Sequence, residues 1–373
     1  MADARDASAY PEPPPPGPGS PLERSRAVLP RRSGRFERLR GATGAAFSSD
    51  GGPDSAASKA RAATVPGTRR LDPRPATLTV GVASTPMERF RQTWRETDYL
   101  HRLEAAIAGP RLRRCPTIAV VSPKGGVGKT TLTALIGSLL AHTRADRVVA
   151  VDTNPDYGSL GPTLAPDHGV FVDDLLDLLD NPDLAVTELD ANLGRSSDGL
   201  LVLPAPTDPE RMARLDRSSY KRVIEHLQRK AGVLMLDCGT GLQDPPAQAA
   251  ILCADQLVLI TDAEPATATL VSAASERLLR SGAPMTLVVN KLPRRGARLD
   301  TGELGRLIHG AHGMAIVPSD PRAAAKVSAG QFSWADASGP WEVALRELVA
   351  SLVAGWPELG LTASSPRAES DPR

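Results

Sequence analysis

Ser122-Pro-Lys-Gly-Gly-Val-Gly-Lys-Thr-Thr131 places two lysines, Lys124 and Lys129, five residues apart around three glycines. A backbone that must approach an anion closely needs positions without side chains, and glycine supplies them. Gly128-Lys129-Thr130 has the form of a loop whose N–H groups wrap phosphates. Its flanks decide the fold. Thr117-Ile-Ala-Val-Val121 is apolar and β-branched, as a buried strand is. A helix from Thr130 to about His142 follows and offers its positive N-terminus to an anion.

The same rhythm continues along the chain. Apolar runs recur at Arg147–Val151, Leu200–Leu203, Val233–Leu236, Gln256–Ile260, Met285–Val289 and Met314–Val317. Helical stretches lie between most of them, at Asp208–Lys230, Pro265–Ser281 and Gly302–Ile308. Strands that are apolar throughout and alternate with helices predict an α/β fold. The expected architecture is a three-layer P-loop NTPase with a mostly parallel central sheet covered by helices on both faces. Function in such folds gathers at the carboxyl ends of the strands.

With 373 residues, 41% hydrophobic and 23% charged, the chain suits one sizeable core with tails, or two small domains. Much of its 34 prolines and 32 glycines sits at the front. Residues 1–75 hold thirteen basic against eight acidic side chains, a net +5, while the remainder carries −4. That segment has too little apolar surface to offset ordering entropy and reads as a disordered Pro/Arg-rich arm. A solvated basic tail is the favoured reading over contact with nucleic acid, an acidic partner or anionic lipid. Residues 87–108 read as an accessory helix, with Phe90, Trp94, Leu100, Leu103 and Ile107 at helical spacing, packed on the following domain or on a partner. No signal peptide and no run of 18 apolar residues is visible, so the expectation is a cytoplasmic protein without a direct membrane anchor. Cys115, Cys238 and Cys253 form no CxxC pair and read as reduced, mostly buried thiols.

Lys124-Gly-Gly-Val-Gly-Lys-Thr130, with Pro123 where an ordinary P-loop has glycine, resembles at every position the K-G-G-x-G-K-T loop of the deviant P-loop ATPases of the MinD/ParA (SIMIBI-type) family. The resemblance covers roughly residues 115–356. It implies that Gly125, Gly126, Val127, Gly128 and Thr131 complete a nucleotide-binding loop. Lys129 would reach the β- and γ-phosphates, and Thr130 would bind Mg²⁺. Lys124 would cross a face-to-face homodimer to the partner's nucleotide. Asp152-Thr-Asn-Pro-Asp156 stands where the family has D-x-D-P. Val233 to Gly241 resembles its second switch, with Asp237 holding Mg²⁺ through water and Gly241 offering its N–H to the γ-phosphate. Leu203-Pro-Ala-Pro206 and Thr261-Asp-Ala-Glu-Pro265 resemble further landmarks. Asn290 stands where the family contacts the purine, and the turn at Pro318 resembles its backbone contact to adenine. Asn290-Lys-Leu-Pro293 lacks the carboxylate that would accept from guanine, so the expected cofactors are ATP and Mg²⁺ rather than GTP.

One position departs. The second aspartate of the family's first switch, which orients the attacking water, aligns with Asn154, and an amide cannot accept a proton. Loss of a general base costs roughly 10²–10⁴ in rate. Slow hydrolysis or none is expected, with Asp152 or Asp156 available to compensate. Asn154-Pro-Asp156 and the proline-rich extension also resemble the actinobacterial EspI-like ATPases linked to type VII secretion.

The implied layout is an arm (1–75), a linker with the accessory helix (76–114), an ATPase domain (115–357) and a disordered tail (358–373). The implied function is a slowly hydrolysing ATP-dependent dimerisation switch that recruits a partner complex in secretion, partition or polar positioning. The alternatives are a nucleotide-binding regulator with little hydrolysis and a small-molecule ligase on the same fold. The last helix places Trp341, Leu345, Leu348, Val349 and Leu352 on one face, with Glu342, Arg346 and Glu347 opposite. Its mixed charge argues for packing on the sheet rather than membrane binding. Arg294, Arg295 and Arg298 offer only a weak nucleic-acid surface.

Overall fold

The computed structural model describes residues 98–363, except 155–157, 180, 182–183, 294–303, 306–307, 309 and 338. The arm, the first part of the accessory helix, Asp156, the arginines at 294, 295 and 298, and the end of the tail therefore lie outside the described residues.

Among those described, eight strands form one sheet: β1 (Thr117–Val121), β2 (Val148–Thr153), β3 (Gly194–Arg195), β4 (Leu201–Leu203), β5 (Val233–Cys238), β6 (Gln256–Thr261), β7 (Met285–Leu292) and β8 (Ala311–Pro318). Their spatial order is β3-β4-β2-β5-β1-β6-β7-β8. All pairings are parallel except the short edge pair β3–β4. Alternation of side chains along each strand divides the core between the two faces. Ala119 and Val121 of β1 join Leu234 and Leu236 of β5 in one cluster, while Ile118 and Val120 join Val233 and Met235 in the other. Such strands are apolar throughout because neither face meets water.

The first cluster is covered by α4 (Val172–Leu178), α7 (Arg217–Lys230), α8 (Pro245–Cys253) and α9 (Pro265–Leu278). The second is covered by α2 (Lys129–Thr143), α10 (Pro321–Ser328) and α11 (Pro340–Ala354). Buried residues run continuously from Leu132 to Leu140 in α2, as in a helix enclosed on all sides. The single helix expected over Asp208–Lys230 is two. Asp208 caps α6 (Pro209–Met212) by accepting from the Glu210 N–H, and Asp216 caps α7 by accepting from the Ser219 N–H. Each aspartate satisfies N–H groups that a continuous helix would have bonded internally.

The accessory helix α1 (98–108) lies on this domain. Ile107 is completely buried in the α2/α11 cluster. The Arg144 guanidinium donates to the carbonyls of Ile107 and Pro110, the latter at 2.8 Å. Tyr99 donates to Glu347 at 2.7 Å. Arg346 corrects the outward placement expected for it. It is buried, paired with Glu104 at 3.0 Å and Glu342 at 3.1 Å, and its guanidinium stacks 5.1 Å from the Trp334 ring. Packing of α1 across α11 gives that helix a second covered face. The polar tail also begins later than residue 358, because Leu361 is fully buried and Leu112 bridges Thr362.

Candidate functional site

The loop 122–128 leaves the end of β1, the strand where the order of connections reverses, and opens directly into α2. Brought together there are Lys124, Lys129, Thr130, Asp152, Asn154 and Asp237, from three separate stretches of sequence. Ser122 is buried and accepts from the Lys124 N–H at 3.3 Å, which starts the curl of the loop. Gly128 sits at φ 98, in the left-handed region, and a Cβ there would lie 2.5 Å from the Asn290 amide nitrogen. Only glycine meets both conditions. Val127 points into the core and anchors the loop, whereas Lys124, Gly125 and Gly126 are exposed.

Lys129 is partly buried, and its ammonium lies 3.4 Å from the Lys124 carbonyl. Burial lowers its pKa, and the nearby charge of Asp237 works in the opposite direction. The Thr130 hydroxyl donates to Asp237 Oδ2 at 2.7 Å, and the Thr133 hydroxyl donates to Oδ1 at 3.1 Å. Ser159 Oγ donates to Thr130 Oγ1 at 3.0 Å. This gathering of hard oxygens beside an N–H-lined loop fits a small divalent cation next to phosphate.

Asp152, at the end of β2, is completely buried and holds the loop that follows. Its Oδ1 accepts from the Asn154 N–H at 3.0 Å and its Oδ2 from the Leu160 N–H at 3.1 Å. A Cβ on Gly158 would lie 2.4 Å from Oδ2, so the loop closes on the carboxylate only with glycine there. Burial and the charge of Asp237 raise the Asp152 pKa; burial also raises that of Asp237, opposed by the two threonine hydroxyls and Lys129.

Asn290 and Pro318 lie at the ends of β7 and β8. The Asn290 side chain donates to the Val127 carbonyl at 2.7 Å, so this amide grips the phosphate-type loop itself. The Pro318 carbonyl accepts from the Trp341 indole at 2.7 Å, and the Ser319 N–H donates to the Leu292 carbonyl. Gly241 follows β5, its carbonyl accepting from the Asp244 N–H at 2.9 Å. Thr131, in the first turn of α2, is half-buried. Sequence reasoning missed Ser159, Thr133 and Lys291, whose ammonium donates to the Gly126 carbonyl at 2.6 Å. A hydroxyl or lysine carries no signal by itself, because its role depends on a partner distant in sequence. The cysteines take no part. Burial pushes the Cys115 and Cys238 thiols to about 12, and among the described residues no cluster of three metal-ligating side chains occurs. Among those residues no helix is long and apolar enough to cross a membrane.

Residues 118–331 match the family model described as "CobQ/CobB/MinD/ParA nucleotide binding domain", which is more than half of the chain. The chain is 32% identical over 177 residues to the ESX-1 secretion-associated protein EspI of Mycobacterium tuberculosis, covering 46% of this chain and 26% of that protein. It is 26% identical over 147 residues to the septum site-determining protein MinD of Bacillus subtilis, covering 39% of this chain and 53% of that protein. The matches thus span about a quarter and about half of these relatives. Among solved structures, MinD of Pyrococcus horikoshii complexed with Mg-ADP superposes with a TM-score of 0.55 at 22% identity, over 64% of this chain and 96% of that one. A ParA family ATPase from Chlorobium tepidum gives 0.56 at 18% identity, over 64% and 99%. These likenesses show the same fold. The glycine loop on β1, the aspartate ending β5 and the family model coincide on one stretch, and the chain belongs to the CobQ/CobB/MinD/ParA nucleotide-binding family.

Proposed function

We propose that this chain is an ATP-binding, slowly hydrolysing switch that dimerises around Mg²⁺·ATP and in that form recruits a partner complex. The observation that carries the reading is the convergence of Lys129, Thr130 and Asp237 under a loop that also exposes Lys124. The N–H groups of Gly125 to Thr131 would hold the phosphates, with Lys129 on the β- and γ-phosphates. Thr130 would bind Mg²⁺ directly and Asp237 through water; the cation, when bound, neutralises charge on the phosphate oxygens.

Asn154, fixed by Asp152 through its backbone N–H, would orient water without accepting its proton. Turnover is accordingly slow. Lys124 is free to lie across a dimer seam, where a lysine beside a polyanion makes association depend on the nucleotide. The likeness to EspI supports a partner linked to secretion. A second reading, a nucleotide-dependent regulator with almost no hydrolysis, is favoured by Asn154 alone.

Light scattering with and without Mg²⁺·ATP tests the switch. The expected result is monomer to dimer for the wild type, with Lys124→Ala retaining nucleotide binding but remaining monomeric. Normal dimerisation of Lys124→Ala would remove the cross-subunit role.

A further inference from the structure

A loop that binds phosphate through its N–H groups must turn its carbonyls outward, and outward carbonyls need donors of their own. Here two of them are met by consecutive residues from the end of β7. The Val127 carbonyl accepts from the Asn290 amide at 2.7 Å, and the Gly126 carbonyl accepts from the Lys291 ammonium at 2.6 Å. Both donors are more than 160 residues away in sequence.

Lys291 reaches this position at a conformational cost. It stands at φ 57, and among the described residues it is the sole non-glycine with positive φ. It lies where the β7–β8 register slips between Val289 and Leu292. Lysine has no local hydrogen-bonding reason to adopt the left-handed region, unlike asparagine or aspartate. Such a backbone persists where surrounding contacts over-determine it, and functional sites are where these outliers cluster. The kink turns the side chain from the line of the sheet towards the loop.

We infer that Lys291 is a positioning residue for the phosphate site. Together with Asn290 it clamps the carbonyl side of the loop, so that the N–H groups of Gly126 to Lys129 face the phosphate before any nucleotide arrives. This deepens the nucleotide-binding reading and rests on it. Because the clamp acts on the phosphate end, it serves every nucleoside triphosphate equally and leaves discrimination between bases untouched.

Calorimetry with Mg²⁺·ATP and Mg²⁺·GTP on the full chain tests this, using Lys291→Gly, Lys291→Met and Lys291→Arg. Glycine suits φ 57 and removes the ammonium, so it separates the contact from the backbone strain. For Lys291→Gly and Lys291→Met we expect affinity for both nucleotides to fall about tenfold, the scale of one charged hydrogen bond, at an unchanged ATP:GTP ratio. Lys291→Arg, which keeps a cationic donor, should recover most of the loss. Lys291→Gly should melt no lower than wild type, since strain is relieved while the loop slackens. Wild-type affinity in the glycine and methionine variants would overturn the inference, as would a changed ATP:GTP ratio or a failure of arginine to rescue. If wild type binds neither nucleotide, the nucleotide-binding reading fails; if only the variants match wild type, the clamp alone fails.

Discussion

Asp152 and Asp237 are register partners on adjacent parallel strands, and both carboxylates are sealed from water at the same end of the sheet. Lys129 is the cation beside Asp237, and Asp152 is held by two backbone N–H groups. Burial raises both pKa values. A carboxyl whose folded pKa lies above its unfolded value gives stability that is present at low pH and lost as pH rises through the folded pKa. The ligand-free chain should therefore weaken between about pH 4 and pH 8 on account of this pair. Asp237→Asn tests the sign, because the Thr130 and Thr133 hydroxyls can rotate to accept from an amide. Thermal melting without Mg²⁺ should find Asp237→Asn more stable than wild type at pH 8, the gain shrinking towards pH 5. An advantage that grows as pH falls would reverse the argument.

The family resemblance puts Asn290 at the base site of the proposed nucleotide. No carboxylate stands three residues on, where Pro293 is found. ATP should bind more tightly than GTP by calorimetry, and Lys129→Ala should abolish both. Equal affinity for the two nucleotides would reject the assignment of the base site.

In the proposed switch, Asn154 is the position where an amide in place of a carboxylate would slow turnover. Its backbone is anchored on Asp152, so an aspartate there would occupy the same place. Asn154→Asp should raise the single-turnover rate by roughly tenfold or more at saturating Mg²⁺·ATP, with little change in affinity. An unchanged rate would mean that activity waits on groups supplied by a partner.

Deleting residues 1–75 should leave the melting temperature and ATP binding unchanged. Extending the deletion through residue 114 is a different experiment. It removes Ile107 from the core and Glu104 from the buried Arg346, as well as the carbonyls that hold Arg144. Loss of a buried apolar side chain alone costs about 2–5 kcal/mol. The longer truncation should melt many degrees lower; equal melting of the two would show that α1 adds nothing to the domain.

The pattern of apolar runs made the parallel sheet legible, because strands buried on both faces have no polar residues to blur them. The loop 124–130 was legible for a related reason: its glycines and lysines form one contiguous motif, inside the stretch that the family model matches. What escaped was set by distant packing. Arg346 reads as a solvent-facing charge on an amphipathic helix, whereas Glu104 of α1, some 240 residues earlier, and the Trp334 ring enclose it. Helix α8 has no polar face to mark it, being mostly alanine and proline with apolar neighbours. Lys291 looks like an ordinary strand-end lysine, since nothing in its neighbours announces a left-handed backbone.

The central place of β1 has a consequence for the order of assembly. Thr117 pairs with Leu234, and Ile118 with Gln256, so the strand that launches the glycine loop finds its neighbours only after more than a hundred further residues. Non-local parallel pairing is slow because chain closure must precede any gain from contact. During synthesis from the N-terminus, Ile107 must wait still longer, until α11 has emerged. The nascent chain would thus carry its phosphate loop unformed through most of translation. Nucleotide would then be first held by a nearly complete domain, at the moment when both ends of that domain close on each other.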